Sequence, residues 1–163
     1  MQIFDNSGNH LGSRGKSGRL DHKLALVHCS GNSLLWAAMA CTQPTDCKQT
    51  QLHFYARVER LGIVLHRFEP LVDAHGQLRE NEVEVDGQVR DLIRAASADT
   101  DCDTVVVFGA DGGFTNAVKD ARRAGKNVYV IAWDGTLNPA LAAAATAHIS
   151  MEQLLPIIGR IVH

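Results

Sequence analysis

Several features that would assign this chain to a protein class at once are missing from it. Its 163 residues contain no apolar run approaching the ~18 residues of a membrane helix, and the first residues lack the apolar core of a secretion signal. The four cysteines form no CxxC pair, and the eight histidines show neither HxH nor HExxH spacing, which argues against a zinc site. The formal net charge of −2 excludes a chain-wide basic field for nucleic acids. We therefore expect a cytoplasmic protein with reduced thiols and no membrane partner.

The composition that is present is that of an ordinary globular domain. Apolar residues make up 45% of the chain and charged residues 21%, and the length suits a single domain with a real core. Residues 1–22 differ, because they are rich in glycine and contain Arg14, Lys16 and Arg19. We predict a flexible basic arm over 1–22, which contacts phosphates or a dimer partner, followed by one domain over 23–163. A tail without a binding role is the alternative.

Strand and helix patterns alternate along the rest of the chain. The predicted strands are 23–29, 63–68, 104–108, 128–132 and 148–150, and the predicted helices are 33–41, 52–61, 83–98, 114–124, 138–146 and 151–162. This alternation is typical of an α/β fold, with a parallel sheet covered by helices on both faces. The loops 29–33, 69–82, 109–113 and 133–138 are then expected to meet at one edge of the sheet.

The most informative stretch is 103–124, with the sequence DTVVVFGADGGFTNAVKDARRA. A buried strand ends in a glycine-rich turn, and a helical pattern starts at once near Phe114. Asp111 therefore lies at the carboxyl end of a strand, where open α/β sheets place their ligands. An acid in this position can bind a metal ion or a sugar hydroxyl. The other interpretation is that Asp111 only caps the helix.

Three segments of the chain resemble the NYN domain, a branch of the PIN-like nuclease superfamily that includes the LabA-like proteins. They are ALVHCSGN at 25–32, NEVEVD at 81–86, and GADGGF at 109–114 with the following helix and the basic turn RRAGKNVYV at 122–130. The resemblance implies a Rossmann-like, PIN-type three-layer α/β/α sandwich with a mostly parallel central sheet. It also implies a metal-dependent ribonuclease, in which several carboxylates hold Mg²⁺ or Mn²⁺.

The acids that this resemblance implies are only partly present. Asp111 and Glu84 match two of the four family acids and are the candidate catalytic residues, and Asp86 joins them as a weak metal ligand. His28, Cys29 and Ser30 occupy the region of the first-strand acid, and Gly113 replaces the fourth acid. Two acids are expected to bind Mg²⁺ or Mn²⁺ weakly or not at all, because hard cations need several oxygen ligands.

Loss of acids also lowers the repulsion of phosphates, so we favour a protein that binds DNA or RNA with weak or no catalysis. The candidate contacts for the phosphates are Ser30, Asn32, Arg67, Arg79, Arg14, Lys16 and Arg19. Trp133 is the candidate residue for stacking on a base. A metal-dependent endoribonuclease, a small-molecule-binding module and a dimeric partner-binding subunit with a vestigial cleft are the alternatives. A homodimer is expected because residues 154–162 are apolar nearly all round a helix.

Overall fold

A computed structural model describes residues 22–28, 33–43 and 49–158 of the chain. The strands are β1 His22–His28, β2 Trp36–Thr42, β3 Ile63–Phe68, β4 Leu71–Val72, β5 Leu78–Arg79, β6 Thr104–Phe108, β7 Asn127–Ala132 and β8 Ala147–Ser150. The helices are α1 Gln49–Arg60, α2 Glu82–Ala98, α3 Thr115–Arg123, α4 Pro139–Ala144 and α5 Met151–Ile158, with a 3₁₀ turn at Gly112–Phe114 before α3.

Six strands form the central sheet in the order β3-β2-β1-β6-β7-β8. β2 pairs parallel with β3, and β6, β7 and β8 pair parallel with one another. β1 runs antiparallel to both of its neighbours, β2 and β6. Five of the six strands therefore point the same way, and their carboxyl ends share one edge, which we call the carboxyl edge.

Two apolar cores, one on each face of the sheet, hold the layers together. The larger core joins β6 and β7 to α2, α3 and α4 through side chains such as Val89, Val107 and Leu141. The smaller core joins β2 and β3 to α1 through Met39, Val58 and Ile63. These two cores make a three-layer α/β/α sandwich with a mostly parallel sheet, so the predicted fold class is confirmed. Within the described ranges, no helix has the length and apolarity that crossing a membrane requires.

Segment 33–41 is where the secondary-structure prediction is wrong. It was expected to be a helix, but it contributes most of β2, whose five central residues are all buried. A strand buried on both faces has no alternation of apolar and polar residues, so its pattern resembles that of a buried helix. Alanine also favours a helix locally, and the pairing with β1 and β3 overrides this preference.

The direction of β1 corrects a second expectation, that the loop after it meets the Asp111 turn. His28, at the end of β1, pairs with Thr104 at the start of β6, whereas Asp111 follows the other end of β6. Thr104 and Phe108, the two ends of β6, are four residue steps apart, which is about 13 Å. The chain therefore leaves β1 at the edge opposite Asp111. The predicted site residues Ser30 and Asn32, which follow this strand, lie outside the described residues.

The predicted loop 69–82 contains a second, two-stranded sheet made of β4 and β5. Leu71 pairs with Arg79, and Val72 pairs with Leu78. This small antiparallel ribbon stands between β3 and α2, at the carboxyl edge of the main sheet. Its strands are only two residues long, so the sequence offered no alternation by which to find them.

Candidate functional site

The turn after β6 carries the exposed carboxylate of Asp111. Its Oδ1 accepts a hydrogen bond of 2.7 Å from the backbone N–H of Gly113 and caps the 3₁₀ turn that leads into α3. Gly109 continues the sheet for one residue, because its N–H donates to the carbonyl of Ile131 at 3.1 Å. Asp111 therefore caps the helix start and also presents its carboxyl group to solvent at the carboxyl edge.

The loop after β7 packs directly against this turn. The N–H of Asn138 donates to the carbonyl of Ala110 at 3.0 Å, and the Asn138 side chain caps α4 by accepting from Ala140 at 2.9 Å. A Cβ placed on Gly112 would lie 2.6 Å from Asn138 Nδ2. Close packing against Asn138 therefore favours glycine at position 112. The loops after β6 and β7 pack together at the carboxyl edge.

An arginine that the sequence did not single out lies beside the same turn. A Cβ placed on Gly113 would lie 3.3 Å from Asp111 Oδ1 and 3.8 Å from Arg90 Nη1. Arg90 is half-buried in the middle of α2. Where the family pattern implies an acid at position 113, this chain thus has a glycine and a neighbouring guanidinium. No local sequence pattern links positions 90 and 113, so their proximity becomes visible only when α2 is packed on the turn.

Glu84, the second candidate acid, is held by a buried asparagine at the start of α2. Asn81 is 5% exposed, and its Nδ2 donates to Glu84 Oε2 at 2.6 Å and to the carbonyl of Glu69 at 3.1 Å. Its Oδ1 accepts from the N–H of Glu84, and its own N–H donates to Thr42 Oγ1 at 2.9 Å. Asn81 thus joins the ends of β2 and β3 to α2 and fixes one oxygen of Glu84.

The three predicted metal ligands do not come together. Glu84 and Asp86 are two positions apart on α2, so they project about 200° from each other around the helix. Among the residues that the structure describes, no three His, Cys, Asp or Glu side chains form a group that could hold a metal ion. A Mg²⁺ ion takes about six ligands in octahedral geometry and uses at least one or two carboxylates. The described donor set does not fit such a centre.

The predicted nucleic-acid contacts are spread over different places. Trp133 is half-buried and directly follows β7, so it lies at the carboxyl edge with Asp111. Arg67 lies on β3, with its guanidinium 5.6 Å from the ring centroid of Tyr55 in α1. Arg79 forms an ion pair of 2.6 Å with Asp73 within the β4–β5 ribbon. Arg14, Lys16 and Arg19 lie outside the described residues.

A further acid, Glu152, which the sequence pattern did not single out, holds the loop after β7 by hydrogen bonds. Glu152, in the first turn of α5, accepts hydrogen bonds from the N–H of Asp134 at 3.0 Å and from Ser150 Oγ at 2.8 Å. The contact with Asp134 shows that Glu152 fixes the end of the loop that carries Trp133.

Comparison with known proteins agrees with this architecture. The family model described as the NYN domain matches residues 22–152. A search of curated proteins finds no match. Among solved structures, a protein of unknown function from Vibrio parahaemolyticus is similar, with 19% sequence identity and a TM-score of 0.54. The similarity covers 72% of this chain and 68% of that chain, and at this identity it shows the fold alone.

Proposed function

The chain belongs to the NYN domain family, and on that premise we propose that it binds nucleic acid while having weak or no cleavage activity. Membership supports a nuclease-type, RNA-related function of the PIN-like kind. The finer proposal, binding in place of cleavage, is argued from this chain's own residues, because fold and descent do not fix activity.

The observation that carries the proposal is the charge beside the Asp111 turn. Arg90 Nη1 lies 3.8 Å, and Asp111 Oδ1 3.3 Å, from the Cβ that a side chain at position 113 would carry, and that position lacks the acid that the family pattern implies. An arginine offers planar donors that suit phosphate oxygens, whereas it repels a divalent cation. One carboxylate fewer at this turn, with a guanidinium nearby, thus favours a bound phosphate over a bound metal.

Two neighbouring features support contact with a nucleic acid at the same edge. Trp133 follows β7 on the carboxyl edge, where its ring can stack on an unpaired base. β1 begins at this edge as well, because His22 pairs with Cys41 near the end of β2. The segment that contains Arg14, Lys16 and Arg19 therefore joins the domain on the side where Arg90 lies.

A metal-dependent endoribonuclease is the second candidate, and one observation favours it. Asp111 and Glu84 both lie at the carboxyl edge, on the adjacent elements that the family pattern uses for its acids. We derive no metal-dependent step from them, because the described donor set does not fit a Mg²⁺ or Mn²⁺ centre. A dimeric, partner-binding subunit is the third candidate and stays a prediction from the apolar residues 154–162.

Binding is tested by fluorescence anisotropy of labelled single-stranded RNA and of duplex DNA, both in EDTA. We expect salt-dependent binding of at least one of them by the wild type. With Arg90→Gln, we expect the slope of log K against log salt to fall by about 0.7 for a single strand, because one phosphate contact is lost. Arg123→Gln is the matched control, since Arg123 is an exposed arginine at the far end of α3. Equal slopes for Arg90→Gln and wild type would refute the role of Arg90.

Cleavage is tested on the same strands in Mn²⁺, with denaturing gels and the variant Asp111→Asn. We expect intact strands from both proteins. Metal-dependent cleavage that Asp111→Asn abolishes would assign a ribonuclease and overturn the proposal. Absence of both binding and cleavage on either polymer would favour the partner-binding subunit, for which the molar mass in solution is the next measurement.

A further inference from the structure

An aliphatic surface lies exposed next to the candidate site. It consists of Leu71, Val72 and Leu78 in the β4–β5 ribbon and Val83 in the first turn of α2, which we call the ribbon surface. Their exposed fractions are 48%, 67%, 53% and 75%, in that order. Single exposed aliphatic residues are common, but here three lie in one four-residue ribbon and the fourth follows it by four positions, and clustered exposed aliphatic side chains typically mark contact with a partner.

The ribbon is held in one shape by its own turn. The carboxylate of Asp73 accepts hydrogen bonds from the N–H groups of His75 and Gln77, each at 2.9 Å, and from Arg79 Nε at 2.6 Å. Gly76 provides the left-handed residue of the turn, with φ of +75°. A surface that is already ordered before binding loses less entropy when a partner arrives, so this bracing suits a docking element.

The two sides of the ribbon differ in character. Val72 and Leu78 form a cross-strand pair and share one side, because successive strand residues point to opposite sides. Leu71 and Arg79 share the other side, where Arg79 reaches Asp73. One side of the ribbon is therefore purely aliphatic. In a ribbon without a partner, this is the side expected to pack on the domain, yet both of its residues are more than half exposed.

The charge around the ribbon surface decides which partner fits. Residues 69–86 contain six carboxylates and one arginine, although the whole chain has a net charge of only −2. A second copy of the same surface would be repelled by this cluster, and an aliphatic ribbon among carboxylates offers no donors to a phosphate backbone. A polypeptide that combines lysine or arginine with apolar side chains complements it.

Such a segment exists in the chain itself, and it joins the domain nearby. Residues 1–21 contain three basic side chains within six positions and two carboxylates outside that stretch, together with apolar residues; they are Arg14, Lys16 and Arg19, Asp5 and Asp21, and Ile3, Phe4 and Leu11. They lead into β1 at the carboxyl edge, two strands from β3, which is a separation of about 10 Å. A segment of this length reaches the ribbon easily.

We propose that residues 1–21 dock on the ribbon surface, with their apolar side chains on the aliphatic side of the ribbon and their basic side chains near the surrounding acids. The proposal does not depend on nucleic-acid binding by the protein. Where both hold, phosphates compete with the acids of 69–86 for Arg14, Lys16 and Arg19, so docking reduces the affinity for nucleic acid.

Trypsin cleavage of the full chain tests the docking through the cuts after Arg14 and Lys16; the cut after Arg19 is left out, because β1 begins three residues later. Mass spectrometry follows these cuts in the wild type and in a synthetic peptide of residues 1–21, without nucleic acid. We expect the cuts to be about tenfold slower in the full chain, which corresponds to an arm that is open about one-tenth of the time. Leu78→Ser should raise the rate several-fold. Leu52→Ser, at an equally exposed leucine of α1 (49% against 53%), should not.

Each other outcome overturns the proposal in a distinct way. Equal rates in the wild type and the peptide would show that the arm is not docked. Slow cuts that Leu78→Ser leaves unchanged, or that Leu52→Ser relieves equally, would place the docking elsewhere. Protection that falls on dilution would assign the arm of a second copy. Circular dichroism of both variants excludes unfolding as the cause of faster cuts.

Discussion

Replacement of Asn81 by alanine tests whether this one buried side chain holds the candidate site together. Asn81→Ala removes the cap of α2, a loss of about 1 kcal/mol. It also leaves the carbonyl of Glu69 without its donor, a further loss of about 1 kcal/mol. The bond to Glu84 contributes less than a buried charged bond would, because Glu84 is exposed. We expect a total loss of about 2–3 kcal/mol of unfolding free energy.

Urea denaturation followed by circular dichroism measures this loss, and thermal melting should show a decrease in Tm of about 5–10 °C. Asn116→Ala is the matched control, because Asn116 is an exposed asparagine in α3, and it should change stability by less than about 0.5 kcal/mol. A loss below about 0.5 kcal/mol for Asn81→Ala would contradict the reasoning.

The variant Asn81→Asp refines the same test. It keeps the oxygen that caps α2 but puts a second carboxylate where Asn81 Nδ2 lies 2.6 Å from Glu84 Oε2. Two carboxylates this close raise the pKa of one of them in the folded state. The resulting destabilisation is present above that raised pKa and disappears as the pH falls through it. Asn81→Ala lacks this pair, so the unfolding free energy of Asn81→Asp should rise relative to that of Asn81→Ala as the pH falls.

Two further predictions concern glycines and the ribbon. Gly87→Ala should raise stability by about 0.5–1 kcal/mol in thermal melts, because Gly87 is inside α2 and the new Cβ meets only Arg90 Nη2 at 3.9 Å. Gly112→Ala should lower stability by about 1–2 kcal/mol, because its Cβ clashes with the Asn138 side chain. The pKa of Asp73 lies below its ordinary value of 3.8, chiefly because of the hydrogen bond from Arg79 and to a smaller extent because of those from the N–H groups of Gln77 and His75. NMR titration of Asp73 should therefore give a low midpoint, and Arg79→Gln should raise it. The stability that this carboxylate contributes is present above pH 3.8 and is lost as the pH falls through the lowered pKa; an unchanged midpoint in Arg79→Gln would contradict the assignment.

The sequence predicted those elements whose ends carry a local signal. β3 and β6 have the predicted bounds, since Gly62 and Gly109 stand beside them and their apolar runs are short. The end of α3 before Gly125 and the start of α4 after Asn138 also follow known capping chemistry, with a left-handed Gly125 and a capping Asn138.

The rest depends on contacts between distant parts of the chain. Burial on both faces made β2 resemble a helix, and nothing within residues 22–28 specifies that β1 runs antiparallel to its neighbours. At the site, the loss of an acid at Gly113 was visible in the sequence. Arg90, which lies beside that position, is twenty-three residues away in the chain and comes close only because α2 packs on the turn.

The most direct test of the central claim is the affinity for labelled single-stranded RNA, measured in EDTA and in Mn²⁺ on the same preparation, with the strand recovered afterwards on a denaturing gel. A nucleic-acid-binding protein with an arginine beside the Asp111 turn should bind with similar affinity in both solutions and return an intact strand. Binding that needs Mn²⁺, together with cleavage that Asp111→Asn abolishes, would contradict the account.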